Sequence, residues 1–561
     1  MRARQAAPLH YGKIFESFSV FRPLISKSRP SGLLLLILLT GWTCYAQTQP
    51  LTSAERTADR AYQQGMALLR AKQYPEALAQ FKQVEQATPR LPQGYTGEGI
   101  ALALMGKPEQ AVAPLKKALE LDPAYWVARR ELGIIDWKLD RKDEAAKELQ
   151  AVVKLFPNDP AVNVILGQYE FENKRFAQAN GFFSKASPQV AANPRLSIMA
   201  AEALIKTGRG SEAAASLEML SRSPGLGPPQ QFKIAWLLGE AKDYPAAIRL
   251  FNALPQDFPD AFGRGYGVAL AYFEQKQYPE CIKTLTDLKA RRNVRPALFS
   301  LLGAAQEKNG QTLKAYDAFR QGILQFPHDD ENYLNIATLS VEHLNYDVSN
   351  QVLTTAIREI PGDHKLFLAR GVVHTLRKEM SQAQADYEKA LALAPDESSV
   401  YVALGICLMD QDKFADAARI LRQGVQKQLK DVLLYYFLAD ALFRQGVTAS
   451  SPLYPEALAA VEEGLKLDPK FAYGYLQRGR LELIRDQTTA AVADLEHARS
   501  LAPDSRAILY QLGVAYRRAG RQAEAAKLFA RVAQASKEEA AQFRKGKLME
   551  IMLTVSGSKT N

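Results

Sequence analysis

Counting forward from Gly65 in steps of 34 lands on Gly99, Gly133, Gly167, Ala201, Ala235, Ala269, Gly303, Ala337, Gly371, Gly405 and Ala439. One step of 40 then reaches Gly479, and a last step of 34 reaches Gly513. All fourteen stops are Gly or Ala. A period of this length, kept this strictly, belongs to stacked copies of one supersecondary unit. A second ladder runs 12 residues behind the first, from Ala77 through Cys281 and Ser349 to Ala525, and every rung is again small. A third, four residues further on, is large: Phe81, Leu115, Leu149, Phe183 and so on through Tyr387 to Phe529. Prolines 89, 123, 157, 259, 327, 361, 395, 469 and 503 close nine of the units.

These spacings predict two amphipathic helices of about a dozen residues per unit with a tight turn between them. Small residues on the first helix face small residues on the second, so the two backbones approach closely. The large residue one turn later is expected to fill the wedge that opens beyond. A proline without a donor N–H stops the second helix. The phrase "QYPEAL", Gln73–Leu78, recurs as "DYPAAI", "QYPECI" and "LYPEAL" because it starts second helices. Its proline sits in the first turn, where a missing N–H costs nothing.

With these residues the chain resembles the tetratricopeptide repeat (TPR) family. Repeat ten carries the pattern clearly in Phe367, Gly371, Ala383, Tyr387, Ala390 and Pro395. The resemblance implies an all-α, right-handed superhelical solenoid of stacked antiparallel helix pairs, with repeats one to six over 58–261 and seven to fourteen over 262–537. "KEEAAQFRKGKLMEIMLTV" reads as one more helix, 538–553, capping the exposed end of the stack through Phe543, Leu548 and Ile551. Residues 554–561 are expected to be disordered. The six extra residues around "VTASSPLYP" predict a protruding turn in repeat twelve. "SPGLGPP", 223–229, is a slight hinge or a longer helix stop.

The family resemblance also implies that fixed positions of each first helix line a concave groove. In the first seven units these hold Tyr62, Met66, Ile100, Ile134, Trp137, Val164, Phe171, Ile198, Phe232, Trp236, Tyr266 and Phe273. Such an aromatic stripe suits a protein or peptide partner, with rings as anchors, although some of these side chains could instead pack on the neighbouring repeat. The groove's far end gains charge from Asp440, Arg444, Arg480, Arg517 and Arg518. The chaperone-binding members of the family hold a C-terminal carboxylate with a Lys and paired Asn. Here Tyr62, Met66, Thr96 and Ile100 stand at the first matching places, so that clamp is missing there.

The N-terminus reads as an export signal over 1–46, followed by a polar lead-in over 47–57. Lys27 and Arg29 precede the apolar run Leu33–Leu39, and Cys44-Tyr45-Ala46 offers small residues at a cleavage site. An uncleaved anchor, a lipoprotein centred on Cys44 and a start downstream of Met1 are the alternatives. The formal net charge of +11 falls to +6 without those 46 residues. So dilute a charge, with no basic stripe, argues against a nucleic-acid partner. Membrane association would come only through an uncleaved signal or a partner.

No catalytic constellation appears. The six histidines form no metal-ligand pair at helical spacing. "GRGYG", 263–267, follows no strand and so is no phosphate loop. "HDDE", 328–331, sits where a helix begins. Cys281 and Cys407, 126 residues apart, make no disulfide framework and read as small apolar fillers. No cofactor is implied. The expectation is a non-catalytic scaffold in a bacterial periplasm or cell envelope, or a secreted one. The alternative is an accessory subunit presenting substrate to a separate enzyme or to a polysaccharide or secretion machine.

Overall fold

The computed structural model of the chain describes residues 52–292, 294–534 and 539–557. The expected signal segment lies outside the described residues, as do residues 47–51 of the lead-in and the last four residues. Among the described residues every regular element is a helix, and 28 of the 30 helices form fourteen antiparallel pairs. First helices begin at Pro92, Trp126, Pro160, Pro194 and Pro228, and on to Arg506, in the period read from the sequence. The contacts divide the chain into two compact units, one ending at Leu250 and one starting at Phe251. Repeats one to five and the first helix of repeat six lie in the first unit. Repeats seven to fourteen and the last helix lie in the second.

The ladders carry the packing. All fourteen rungs of the second ladder are at most 2% exposed. The large third-ladder side chain does not fill a wedge beyond the small rung, as expected. It lies directly on it. A Cβ added to Gly133 would sit 2.6 Å from Leu149 Cγ, and one on Gly371 would sit 2.6 Å from Tyr387 Cε1. At these Gly rungs an added side chain would therefore collide with the ring or isobutyl group facing it, 16 residues ahead. The second ladder also touches the first helix's backbone: Ser349 Oγ donates to Ala337 O at 3.0 Å.

Each first helix ends with a residue in the left-handed region, and these too keep the 34-residue period. Lys72, Asp140, Lys174, Lys242, Lys276, Leu344, Lys378, Asp412 and Asp486 share the role with Gly106, Gly208, Gly310, Gly446 and Gly520. Around Lys72, its N–H donates to Leu69 O and the next N–H, that of Gln73, donates to Leu68 O at 2.9 Å. This paired arrangement satisfies the last carbonyls of the helix and reverses the chain within three residues. Eight of the nine closing prolines follow the last residue of a second helix by two positions. Their carbonyls accept from the next repeat: Tyr401 Oη donates to Pro395 O at 2.8 Å, and Tyr95, Tyr333 and Tyr475 repeat the bond.

Several boundaries differ from expectation. The first helix is Ser53–Arg70, so it takes in most of the described lead-in. Thr52 caps it, accepting from Glu55 N while Glu55 Oε2 accepts from Thr52 N at 2.7 Å. In repeat four the second helix stops at Lys185, and a short helix Ser187–Ala191 follows, with Pro188 at its start. The turn in repeat twelve protrudes at 448–450 but is anchored by buried Val447. The last helix runs Glu539–Val555, and Ser556 is buried, so the expected disordered tail begins too early.

Within each unit, neighbouring first helices touch one another, while neighbouring second helices lie farther apart. A stack whose first helices are crowded and second helices spread curves toward the first helices. They form the inner face.

Candidate functional site

All eleven of the candidate groove residues, and Ile134 with them, lie on first helices. The structure separates them into two groups. Met66, Val164 and Ile134 are buried at 5%, 2% and 5% exposure. Met66 packs with Leu69, Phe81 and Ala101. Val164 packs with Phe183, Leu196 and Met199. These three are therefore packing residues, because the adjoining helix pair closes over their positions. The other nine are half-buried, with part of each side chain open.

Rings dominate that second group. In the first unit Tyr62 stands edge-on to Phe81 with centroids 6.0 Å apart. Phe171 meets Phe176 at 5.6 Å, and Phe232 meets Trp236 at 6.2 Å. Lys142 Nζ lies 5.8 Å from the Trp137 ring. Burial raises the Tyr62 phenol above its ordinary pKa. Ile100 and Ile198 fill the intervals between rings in sequence. In the second unit Tyr266 stacks on Phe262 at 5.4 Å, and Phe273 meets Tyr278 edge-on at 5.6 Å. Burial pushes the Tyr266 phenol up to about 12. Each of these rings thus has a fixed neighbour within its own repeat and keeps part of its surface exposed.

The charged cluster expected at the far end is internally engaged. Asp440, 4% exposed, accepts from Arg444 Nε at 3.0 Å, and Arg480 approaches it at 3.9 Å. Arg480 also lies over the Phe443 ring and Arg517 over that of Phe529. Arg518 donates to Leu483 O at 2.5 Å. Arg480 and Arg518 tie repeats twelve to fourteen together, while Arg517 stays exposed. Cys281 and Cys407 are fully buried, and burial pushes their thiols up to about 12 and about 11. Neither is a nucleophile near neutral pH. Among the described residues no three His, Cys, Asp or Glu side chains converge to hold a metal ion.

The structure adds site residues that sequence reasoning placed elsewhere. The last helix was expected over the open end of the stack. Instead it packs on the first helices of repeats nine, ten, eleven and fourteen, along the inner face of the second unit. Leu548 and Ile551 are buried as anticipated, with Met552 at 0% exposure beside them. Phe543 enters a nest of rings, 4.3 Å from Tyr473, 5.8 Å from Tyr436 and 6.2 Å from Phe437. Arg544 Nε donates to Asp410 Oδ1 at 2.6 Å, across 134 residues of chain. Phe543, Leu548 and Ile551 were legible in the sequence as contact residues; where they pack was not.

Sequence profiles described as tetratricopeptide repeat match residues 62–125, 102–168, 231–261, 376–441 and 476–540. The chain belongs to the tetratricopeptide repeat family. Among curated proteins it is 25% identical over 199 residues to DnaJ homolog subfamily C member 3 of Bos taurus, covering 33% of this chain and 40% of that one. It is 22% identical over 271 residues to Hsp70-Hsp90 organizing protein of Triticum aestivum, covering 48% of this TPR chain and 40% of the relative. The chain thus spans about two fifths of the length of these relatives. Among solved structures, yeast Tom70 aligns over 84% of this chain and 97% of its own, at 15% identity and a TM-score of 0.40. At the clamp positions considered above, Thr96 is 3% exposed and its hydroxyl donates to Pro92 O at 2.8 Å. Two of the four places, Met66 and Thr96, thus belong to the packing.

Proposed function

We propose that this TPR chain is a non-catalytic scaffold that holds a peptide or protein segment against the inner face of its early repeats. The observation that carries this reading is the set of half-buried rings on successive first helices, with Tyr62, Trp137, Phe171 and Trp236 in the first unit. Rings already held by a neighbour lose little freedom when a ligand covers their exposed part, so they suit a binding hot spot. An extended segment would meet one anchor per repeat. The described residues present no alternative chemistry of comparable order.

We place the protein in a bacterial cell envelope, on the strength of the charged-then-apolar N-terminal run and the Cys44-Tyr45-Ala46 boundary. Among the described residues no helix is long and apolar enough to cross a membrane. The process served is either scaffolding of an envelope complex or presentation of substrate to a separate enzyme. Crosslinking from Trp137 and Trp236 positions in cells identifies the captured partner, and fractionation of the same cells gives the compartment. A Trp137→Ala/Trp236→Ala variant should lose capture of that partner while keeping its helical content. Undiminished capture by a folded double variant rejects the reading.

A further inference from the structure

The last helix is not part of the stack. Each first helix of repeats nine to fourteen already packs on its own second helix and on its neighbours, so the repeat array is complete without Glu539–Val555. After repeat fourteen the chain turns back, and this helix runs along the inner face from the first helix of repeat fourteen toward that of repeat nine. It makes the contacts a bound helical ligand would make. An aromatic anchor, Phe543, sits among Tyr436, Phe437 and Tyr473. A base one residue on, Arg544, pairs with Asp410. Apolar side chains five, eight and nine residues after the anchor, Leu548, Ile551 and Met552, enter the cluster that holds Phe367 and Tyr401. This is a helix laid in a groove by one face, the arrangement used to recognise amphipathic partner helices.

We infer that the inner face of repeats nine to fourteen is a helix-binding groove. Its resident occupant is the chain's own C-terminal helix, and a partner helix of the same pattern, aromatic–base–x3–Leu–x2–Ile–Met, displaces it. Charge complementarity at Asp410 and the ring nest select that pattern. The inference does not rest on the aromatic stripe of the early repeats. The variants that test that stripe leave this groove untouched, so the two can fail separately.

Tethering gives the resident helix an effective concentration on the order of millimolar, so a free helix binds the intact chain weakly. The probe is a fluorescent peptide of residues 539–557, titrated by anisotropy. The full-length Phe543→Ala/Leu548→Ala/Met552→Ala variant, whose own helix no longer docks, should bind it about 100-fold more tightly than the wild-type chain. Adding Asp410→Arg to that variant should weaken binding about tenfold, and a peptide carrying Arg544→Glu should recover most of the loss. Equal binding by wild type and triple variant overturns the inference. Should the triple variant fail to fold, hydrogen exchange on the wild-type chain decides. Amides of 539–557 exchanging ahead of those in 364–376 and 398–409 support a displaceable helix, and exchange in step overturns it. Concentration-dependent dimers of the wild-type chain, lost in the triple variant, would assign the groove to a second copy and also overturn it.

Discussion

The two units are built from the same repeat and differ in what lies on their inner faces. In the first unit the rings of Tyr62, Trp137, Phe171 and Trp236 stay half-buried. In the second, Tyr436 is 9% exposed and Phe437 1%, with Phe543 of the last helix set among them. The ladders are the same in both, so the stack does not decide which face is available. A separate segment outside the repeat does. One fold thus carries one face of half-buried rings and one covered by the chain's own last helix.

The largest expected effect tests that filled face. Met552 has no exposed surface, and Met552→Ala should weaken docking of the last helix by about 2–5 kcal/mol. Hydrogen exchange read by mass spectrometry should show faster exchange over 539–557 with no change in residues 53–221. A loss of protection in the first unit as well would break the comparison. Next come Gly133→Leu and Gly371→Leu, one per unit, where the added side chain collides with Leu149 or Tyr387. Each should cost about 1–3 kcal/mol and loosen its own unit first. A single thermal transition lowered equally by both would show that the units unfold as one.

Two half-buried carboxyls sharpen the comparison by pH. Burial, reinforced by Glu98, pushes Glu85 up to about 7 in the first unit. Burial, reinforced by Asp494, does the same to Glu482 in the second. Because these native pKa values lie above the ordinary carboxylate value, the native state holds the proton more tightly. Stability is greatest below that ordinary value and is lost as pH rises through about 7. Glu85→Gln and Glu482→Gln should therefore each stabilise more at pH 8 than at pH 5, by about 1 kcal/mol after discounting for solvent screening. Chemical denaturation at both pH values checks this. The smallest effect is at Leu344, whose φ of 59° is strained for a side chain that is itself 70% exposed. Leu344→Gly should stabilise the second unit by about 0.5–1 kcal/mol, seen as a shift in its unfolding midpoint.

Much of the fold was legible because its signals are local and repeated. Small residues fall where backbones meet, and prolines fall two residues past second helices. The left-handed ladder was harder to see. Only five of its fourteen members are Gly, and Lys or Asp at the others looks like any exposed turn residue. Thr52 and Glu55 carry a capping signal inside the stretch whose composition reads as a polar lead-in. In the candidate site, position within the repeat placed every residue on the correct helix. It could not tell Tyr62 from Met66, because exposure depends on what the next repeat brings against each.

The sequence by itself determined the helix pairs, their number and their order, since each depends on spacing within about 34 residues. It also marked Phe543, Leu548 and Ile551 of the last helix as apolar contacts. Only the tertiary structure decided where those side chains went: onto Tyr473, Tyr436 and the cluster around Phe367, with Arg544 reaching Asp410. The physical reason is that burial of apolar surface is non-directional. An amphipathic helix specifies that it must be covered, and the geometry of the whole array specifies by what.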